Sequence, residues 1–161
     1  MKKCLPMNGG IHTYMTIIGK VSISDDGEGS IDGLFLPNCN LPYRDCRECS
    51  VLTEAARQMD EFLTGKRLAF DLPLKVEGTD FQKSVWNELC NIPYGETASY
   101  GEIAERIGRP SAYRAVGNAC NANPIPLIIP CHRVVAAKDI GGYGGGLALK
   151  RKLMEIEGIK Y

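Results

Sequence analysis

The sequence predicts an α/β chain of two domains. A small N-terminal antiparallel sheet with helices takes residues 1–76, and a mostly helical C-terminal domain takes residues 77–161. Three observations lead there. Residues 11–36 are rich in β-branched side chains around the turn signal DDGEGS, and LAFDLPLKVEG is extended and interrupted by proline. From Thr79 onward, apolar residues recur at helical spacing behind capping side chains. A chain of 161 residues suits one domain or two small ones with an ordinary core.

Each element has its own warrant. IHTYMTIIGKVSIS and IDGLFL flank the DDGEGS turn and are expected to form three antiparallel strands. PNCNLPYRDCREC reads as a loop. Leu52, Ala56, Met59 and Leu63 then stack on one helical face, with Gly65 as the stop. Beyond the connector, Thr79 and Gln82 form a capping-box pattern. Phe81, Val85, Trp86 and Leu89 continue that helix, with Trp86 as a core residue, until NIPYGE breaks it. Ser99 and Glu102 repeat the cap ahead of Ile103, Ala104 and Ile107, and Gly108 ends the short helix. From Ser111 a small-residue helix is expected through Ala112, Ala115, Val116 and Ala119 to about Asn121.

Two short helices joined by GRPS fit a helix-turn-helix and equally a plain αα-hairpin. The second helix offers one long cation, Arg114, among small residues. It can approach a surface closely but has few groups for reading base edges.

Composition narrows the function. Nineteen Lys+Arg balance nineteen Asp+Glu, so the chain has no global polyanion-binding signature, although its C-terminal half leans weakly basic. No apolar run reaches membrane-spanning length. MKKCLPMNGG lacks the apolar region and cleavage site of a secretory signal. An intracellular chain is therefore expected, cytoplasmic, or nuclear in a eukaryote. Seven cysteines, an odd number, suit free thiols or ligands better than a disulfide framework.

The stretch IIPCHRVV places Cys131 beside His132. A nucleophilic thiol needs a neighbouring base or a positive field. In an extended segment successive side chains point to opposite faces, so His132 would need a bend or a bridging water to reach the thiol. A metal ligand is a second reading, but the pair lacks ligand spacing and the only other histidine is His12. A buried thiol after the apolar run PIPLIIPC is the third. Spacing leaves all three open.

Residues 78–158 contain IPYGET, RAVG, NPIP, PCHRV and GGL in one order, and this stretch resembles the C-terminal domain of the O6-alkylguanine-DNA alkyltransferases. QMDEFLTGKRLAFDLPL extends the likeness loosely toward the N-terminus. The resemblance implies a ribonuclease-H-like N-terminal domain and a true helix-turn-helix in the C-terminal one. It implies that Cys131 accepts the alkyl carbon from guanine O6, with O4-alkylthymine as a further candidate substrate, in an irreversible single-turnover transfer. His132 and Glu157 would complete a Cys–water–His–Glu relay. Tyr100 would assist the departing guanine, and Asn123 would tie the turn of the helix pair to the cysteine segment.

Arg114 would fill the space left by the flipped nucleotide, with Ser99, Ala115 and Gly117 on the same DNA-facing surface. Backbone carbonyls at Cys131 and Val134 would read the guanine amino group, while Tyr143 and Gly144 would form the pocket wall. The implied partner is double-stranded DNA carrying O6-alkylguanine, held by its minor groove, with the protein a monomer, no membrane association and no cofactor. Cys90 and Cys120 read as structural thiols. Considered on their own, Tyr100 equally suits helix packing, Arg114 a solvated charge, and Glu157 a charge on a C-terminal helix.

The chain departs from this pattern in three places. Gly144 stands where many members have serine, leaving only the backbone amide to face O6. AAKDIGGYGGG reads a residue shorter than in some relatives, which leaves the register of pocket contacts open. Cys39, Cys46 and Cys49, with Cys4 as a fourth, form a non-standard pattern for a structural zinc, and free thiols are the alternative. Two rival functions stand beside alkyl transfer. One is a non-catalytic protein that binds alkyl lesions, against which the intact PCHR argues. The other is a cysteine hydrolase, which would want an oxyanion motif that is not visible.

Overall fold

The computed structural model describes residues 9–161. Its first half is a four-stranded sheet with one helix packed against it. β1 (Gly10–Thr16), β2 (Gly19–Asp25) and β3 (Ile31–Phe35) form an antiparallel meander. β1 and β2 meet at a two-residue hairpin, where Gly19 takes φ +109°, a value that disfavours any residue with a Cβ. In the DDGEGS turn, Asp25 and Asp26 accept hydrogen bonds from the backbone N–H groups of Gly27, Glu28 and Ser30.

The expected purely antiparallel sheet needs correction, because the cysteine-rich loop contributes β4 (Asp45–Cys46), which pairs parallel to β1. The order β3-β2-β1-β4 is therefore mixed. Two residues are too short to carry a periodic signal, which is why the sequence reads there as loop.

Helix α1 (Ser50–Leu63) buries Leu52, Met59, Phe62 and Leu63 against the sheet, and Gly65 turns the chain at φ +75°. The connector then runs beside β3. Ile31 N–H donates to the Pro73 carbonyl at 2.8 Å, and Lys75 N–H to the Ile31 carbonyl at 2.9 Å.

Both capping boxes form with their two reciprocal hydrogen bonds: Thr79/Gln82 opens α2 (Asp80–Leu89) and Ser99/Glu102 opens α3 (Tyr100–Arg106). Trp86 is buried in α2 and donates its indole N–H to the Ala119 carbonyl at 2.8 Å. That bond ties α2 to α4 (Tyr113–Asn121), which begins two residues later than its composition suggests and has no side-chain cap. Strand β5 (Ala98–Ser99) pairs with β6 (Val134–Val135), and α5 (Leu147–Ile156) closes the chain. One continuous core joins the halves, running from Val21 and Ile31 through Phe62 and Leu89 to Val134 and Leu153. Among the described residues no helix is long and apolar enough to cross a membrane.

Candidate active site

Cys131 opens a single 3-10 turn, Cys131–Arg133, rather than an extended segment. Before it, residues 126–129 form a turn in which Leu127 takes φ +72°, and β6 follows it, so Cys131 sits between a turn and a short strand. The 3-10 turn points His132 and Arg133 toward the C-terminal end of α5, where Glu157 caps the helix. His132 Nε2 lies 2.6 Å from Glu157 Oε1, with both side chains fully buried. The other imidazole nitrogen, Nδ1, is buried and has no hydrogen-bond partner within the protein. With Nε2–H donated to the carboxylate, Nδ1 is the nitrogen left with a free lone pair.

Glu157 is held from three sides. Arg133 donates Nε to Oε2 at 2.9 Å and Nη2 to Oε1 at 3.1 Å, and the Gly95 N–H reaches Oε2 at 3.0 Å. Arg133 Nη1 is satisfied by the Ile92 carbonyl at 2.7 Å. Burial opposes ionisation of Glu157, but the hydrogen bonds from His132 and Arg133 outweigh it and hold the carboxyl below its ordinary range. Burial pushes His132 down, and the Arg133 cation adds to this, so the imidazole is neutral and able to accept a proton. Burial also raises the Cys131 thiol, against the opposing pull of Asn123 and Lys150. The resting sulfur is therefore protonated, and it needs a base before it can attack.

Of the remaining candidates, Asn123, Tyr143 and Gly144 line a cavity of about 280 Å³ together with Cys131, whereas Tyr100, Arg114, Ala115, Gly117, Ser99 and Val134 do not. Asn123 donates Nδ2–H to the Ile129 carbonyl at 2.8 Å and accepts the Ile125 N–H at 3.0 Å, so it braces the loop that delivers the cysteine. The Tyr143 hydroxyl is buried without a partner. A Cβ added at Gly144 would meet nothing within 4 Å. Tyr100 is half-buried beneath the glycine-rich loop, and its ring lies 3.8 Å from the position a Gly117 Cβ would take. Burial, then the Cys120 thiol, raises its hydroxyl, while the Gly142 backbone pulls it back. Arg114 and Ala115 are exposed on α4. The Arg114 guanidinium sits 5.8 Å from the Tyr113 ring. The Ser99 hydroxyl accepts the Glu102 N–H as the cap of α3.

Two contributors escape sequence reading. Arg133 is the buried partner of Glu157, and only its place in PCHRV draws attention to it. Lys150 is fully buried on α5, with Nζ 2.6 Å from the Val134 carbonyl and 3.0 Å from the Gly142 carbonyl. The Val134 carbonyl thus accepts one bond from Lys150 and keeps a second lone pair. Cys120 lines the cavity, and burial pushes its thiol up to about 12, so it rests protonated. Cys90 is exposed rather than packed inside.

Cys39, Cys46 and Cys49 are free thiols, and Cys4 lies outside the described residues. No group of three or more His, Cys, Asp or Glu side chains among the described residues could hold a metal ion. Chemically, the arrangement presents a shielded thiol beside a small cavity, with a neutral imidazole oriented by an ion-paired carboxylate.

Comparison with known proteins identifies the family. Residues 80–159 match the family described as 6-O-methylguanine DNA methyltransferase, DNA binding domain. A methylated-DNA–protein-cysteine methyltransferase of Methanosarcina mazei is 52% identical over 150 residues, covering 91% of this chain and 95% of that protein. The Methanosarcina barkeri protein of the same name is 58% identical over 105 residues, 65% of this chain and 66% of its own length. The crystal structure of Mycobacterium tuberculosis OGT in complex with DNA superposes with TM-score 0.86 at 40% identity, covering 92% of each chain. The chain belongs to the methylated-DNA–protein-cysteine methyltransferase family.

Proposed function

We propose that the protein repairs DNA by direct reversal, moving the alkyl group from guanine O6, and from O4 of alkylthymine as a second substrate, onto Cys131. The observation that carries this reading is the buried Cys131–Arg133 turn, which sets the thiol on a cavity while His132 keeps one free nitrogen and an ion-paired partner. In the transfer the Sγ–carbon bond forms as the carbon–O6 bond breaks. The thiol proton passes to His132 Nδ1, through a bridging water, and Glu157 stabilises the imidazolium. The departing guanine takes a proton from Tyr100, and the proton that His132 then releases to water restores the Tyr100 hydroxyl, so the thiol proton ends on the guanine. A thioether offers no leaving group that a neutral imidazole can expel, so each molecule reacts once. The cysteine hydrolase reading, by contrast, requires turnover.

Partner and domain roles follow from the same reading. Residues 77–161 would form the DNA-binding and acceptor domain, with α3, its turn and α4 as a helix-turn-helix. Residues 1–76 would form the ribonuclease-H-like domain behind it. Exposed Ala115, with half-buried Gly117 behind it, allows close approach of α4 to a minor groove, and exposed Arg114 supplies the wedge for the vacated base stack. Flipping delivers the lesion to the pocket, so base choice is made at Tyr143, Gly144 and the backbone of the cysteine turn. The protein acts as a monomer in the cytoplasm.

The test is to incubate the full chain with a duplex containing O6-methylguanine and weigh the intact protein. A gain of one methyl group, absent in Cys131→Ala, is expected. Unmodified protein that still binds the duplex would support non-catalytic lesion binding instead. Methyl release with repeated turnover would overturn the single-use mechanism.

A further inference from the structure

The Glu157 carboxylate stands at the end of a helix, so its position depends on how that end is fixed. The last carbonyls of a helix have no partner within it. At the end of α5 the following chain meets three of them: Glu157 N–H donates to Leu153, Ile159 N–H to Met154 and Gly158 N–H to Glu155. The Ile156 carbonyl is met from another part of the fold. Tyr94 donates its hydroxyl to it at 3.0 Å, across 62 positions of sequence.

Tyr94 stands in a turn closed by the Glu96 N–H to the Pro93 carbonyl at 3.1 Å, in which Gly95 takes φ +81°. The turn grips two consecutive residues of the helix end, because Gly95 donates its N–H to Glu157 Oε2 while Tyr94 holds Ile156. The Tyr94 ring also flanks Arg133, whose guanidinium lies 5.8 Å from the ring centroid. The same ring meets Phe62 edge-on at 5.8 Å, and Phe62 stands 6.4 Å from the His132 imidazole. Burial, then the Glu157 charge, raises the Tyr94 hydroxyl, so it stays protonated and able to donate.

We propose that Tyr94 is a positioning residue for alkyl transfer: it fixes the end of α5 and the Arg133 guanidinium, and through them keeps the Glu157 carboxylate on His132 Nε2. The inference rests on the alkyl-transfer reading above. A carboxylate that wanders lets the imidazole take its other tautomer, in which Nδ1 carries the proton and cannot accept one from the thiol. Tyr94→Phe deletes a single oxygen, so it breaks the bond to Ile156 and leaves the ring contacts in place.

The experiment pairs single-turnover methyl transfer from an O6-methylguanine duplex with nitrogen–proton correlation spectra of the imidazoles in the full chain. The chain has two histidines, so His132→Gln assigns the signals. In wild-type protein His132 is expected as the Nε2–H tautomer, its proton shielded from water by burial. Tyr94→Phe is expected to slow transfer about fivefold and to speed exchange of that proton by about the same factor. Tyr94→Leu, which also takes the ring from Arg133, is expected to slow transfer about 30-fold. Wild-type transfer in Tyr94→Phe overturns the proposal. Slower transfer with an unchanged His132 signal overturns it too, since that marks a general loss of stability. Wild-type protein that takes no methyl refutes the alkyl-transfer reading itself, and the His132 signal then still decides whether Tyr94 holds the carboxylate.

Discussion

Removing the Glu157 carboxylate tests how the site is held together. Glu157→Ala leaves Arg133 with its guanidinium buried, because the pair has side-chain exposures of 8% and 0%. It also strips the acceptor from the Gly95 N–H and from His132 Nε2. Breaking a buried pair by deleting one partner costs about 3–5 kcal/mol, since an uncompensated charge stays behind. For a chain of this size each kcal/mol shifts the melting temperature by about 2–4 °C, so a fall of about 6–20 °C is expected. Differential scanning calorimetry measures it.

The double variant Glu157→Ala/Arg133→Met removes the stranded cation and should recover part of the loss, giving a coupling energy above about 1 kcal/mol in the double-mutant cycle. Alkyl transfer should not recover with it, because His132 remains without its anchor; a loss of about 100-fold relative to wild type is expected. A melting temperature within about 3 °C of wild type in the single variant would refute the reasoning.

Three further outcomes are expected. The His132 imidazole titrates lower in the folded protein than in the unfolded chain, chiefly through burial, so between those values the unfolded chain binds more protons. Stability is then full above about pH 6.5 and declines as pH falls, and Glu157, also depressed, extends the loss at lower pH. Denaturant melts from pH 7.5 to 5 check this, and His132→Gln should flatten the slope; greater stability at pH 5 would contradict it. Lys150→Met removes the donor to the Val134 and Gly142 carbonyls and should cost about 1.5–3 kcal/mol, with faster amide exchange across residues 141–146 as the specific sign. Gly144→Ser meets open space, so it should leave the melting temperature unchanged and speed methyl transfer about tenfold by adding a donor toward the leaving oxygen; a slower transfer would sink that idea.

Local chemistry was legible in the sequence and long-range partnership was not. Both capping boxes could be read because each is closed within four residues, and each formed with its two bonds. The glycine stops at Gly65 and Gly108 take φ +75°, as their positions imply. By contrast, the run 11–24 shows no break at Ile17, because a hairpin of two apolar residues keeps the β-branched composition on both sides. The parallel β4 was hidden by its brevity. Glu157 entered through family resemblance alone, since a separation of 25 positions from His132 carries no periodic signal. Nothing in the sequence around Lys150 signals that the fold buries it completely.

The contrast is sharpest at Cys131. Alternation along a strand would send Cys131 and His132 to opposite faces, and the sequence PLIIPCHRVV supports a strand on both sides. The strand expected before the cysteine does not form: Leu127 takes φ +72° within a turn bridged by Pro126 and Ile129, and after Pro130 (φ −82°, ψ 63°) three residues coil into a 3-10 turn before Val134 takes up an extended path. In that turn successive side chains are separated by about 120° rather than 180°. The consequence is a division of labour along three consecutive residues. Cys131 faces the cavity, His132 turns Nε2 to Glu157, and Arg133 grips the same carboxylate from the side. The bend makes adjacency in sequence useful, and the C-terminal cap of a distant helix supplies the charge that keeps the imidazole oriented. Substitutions that restore a regular strand through residues 130–133 should therefore abolish transfer while leaving every named side chain present.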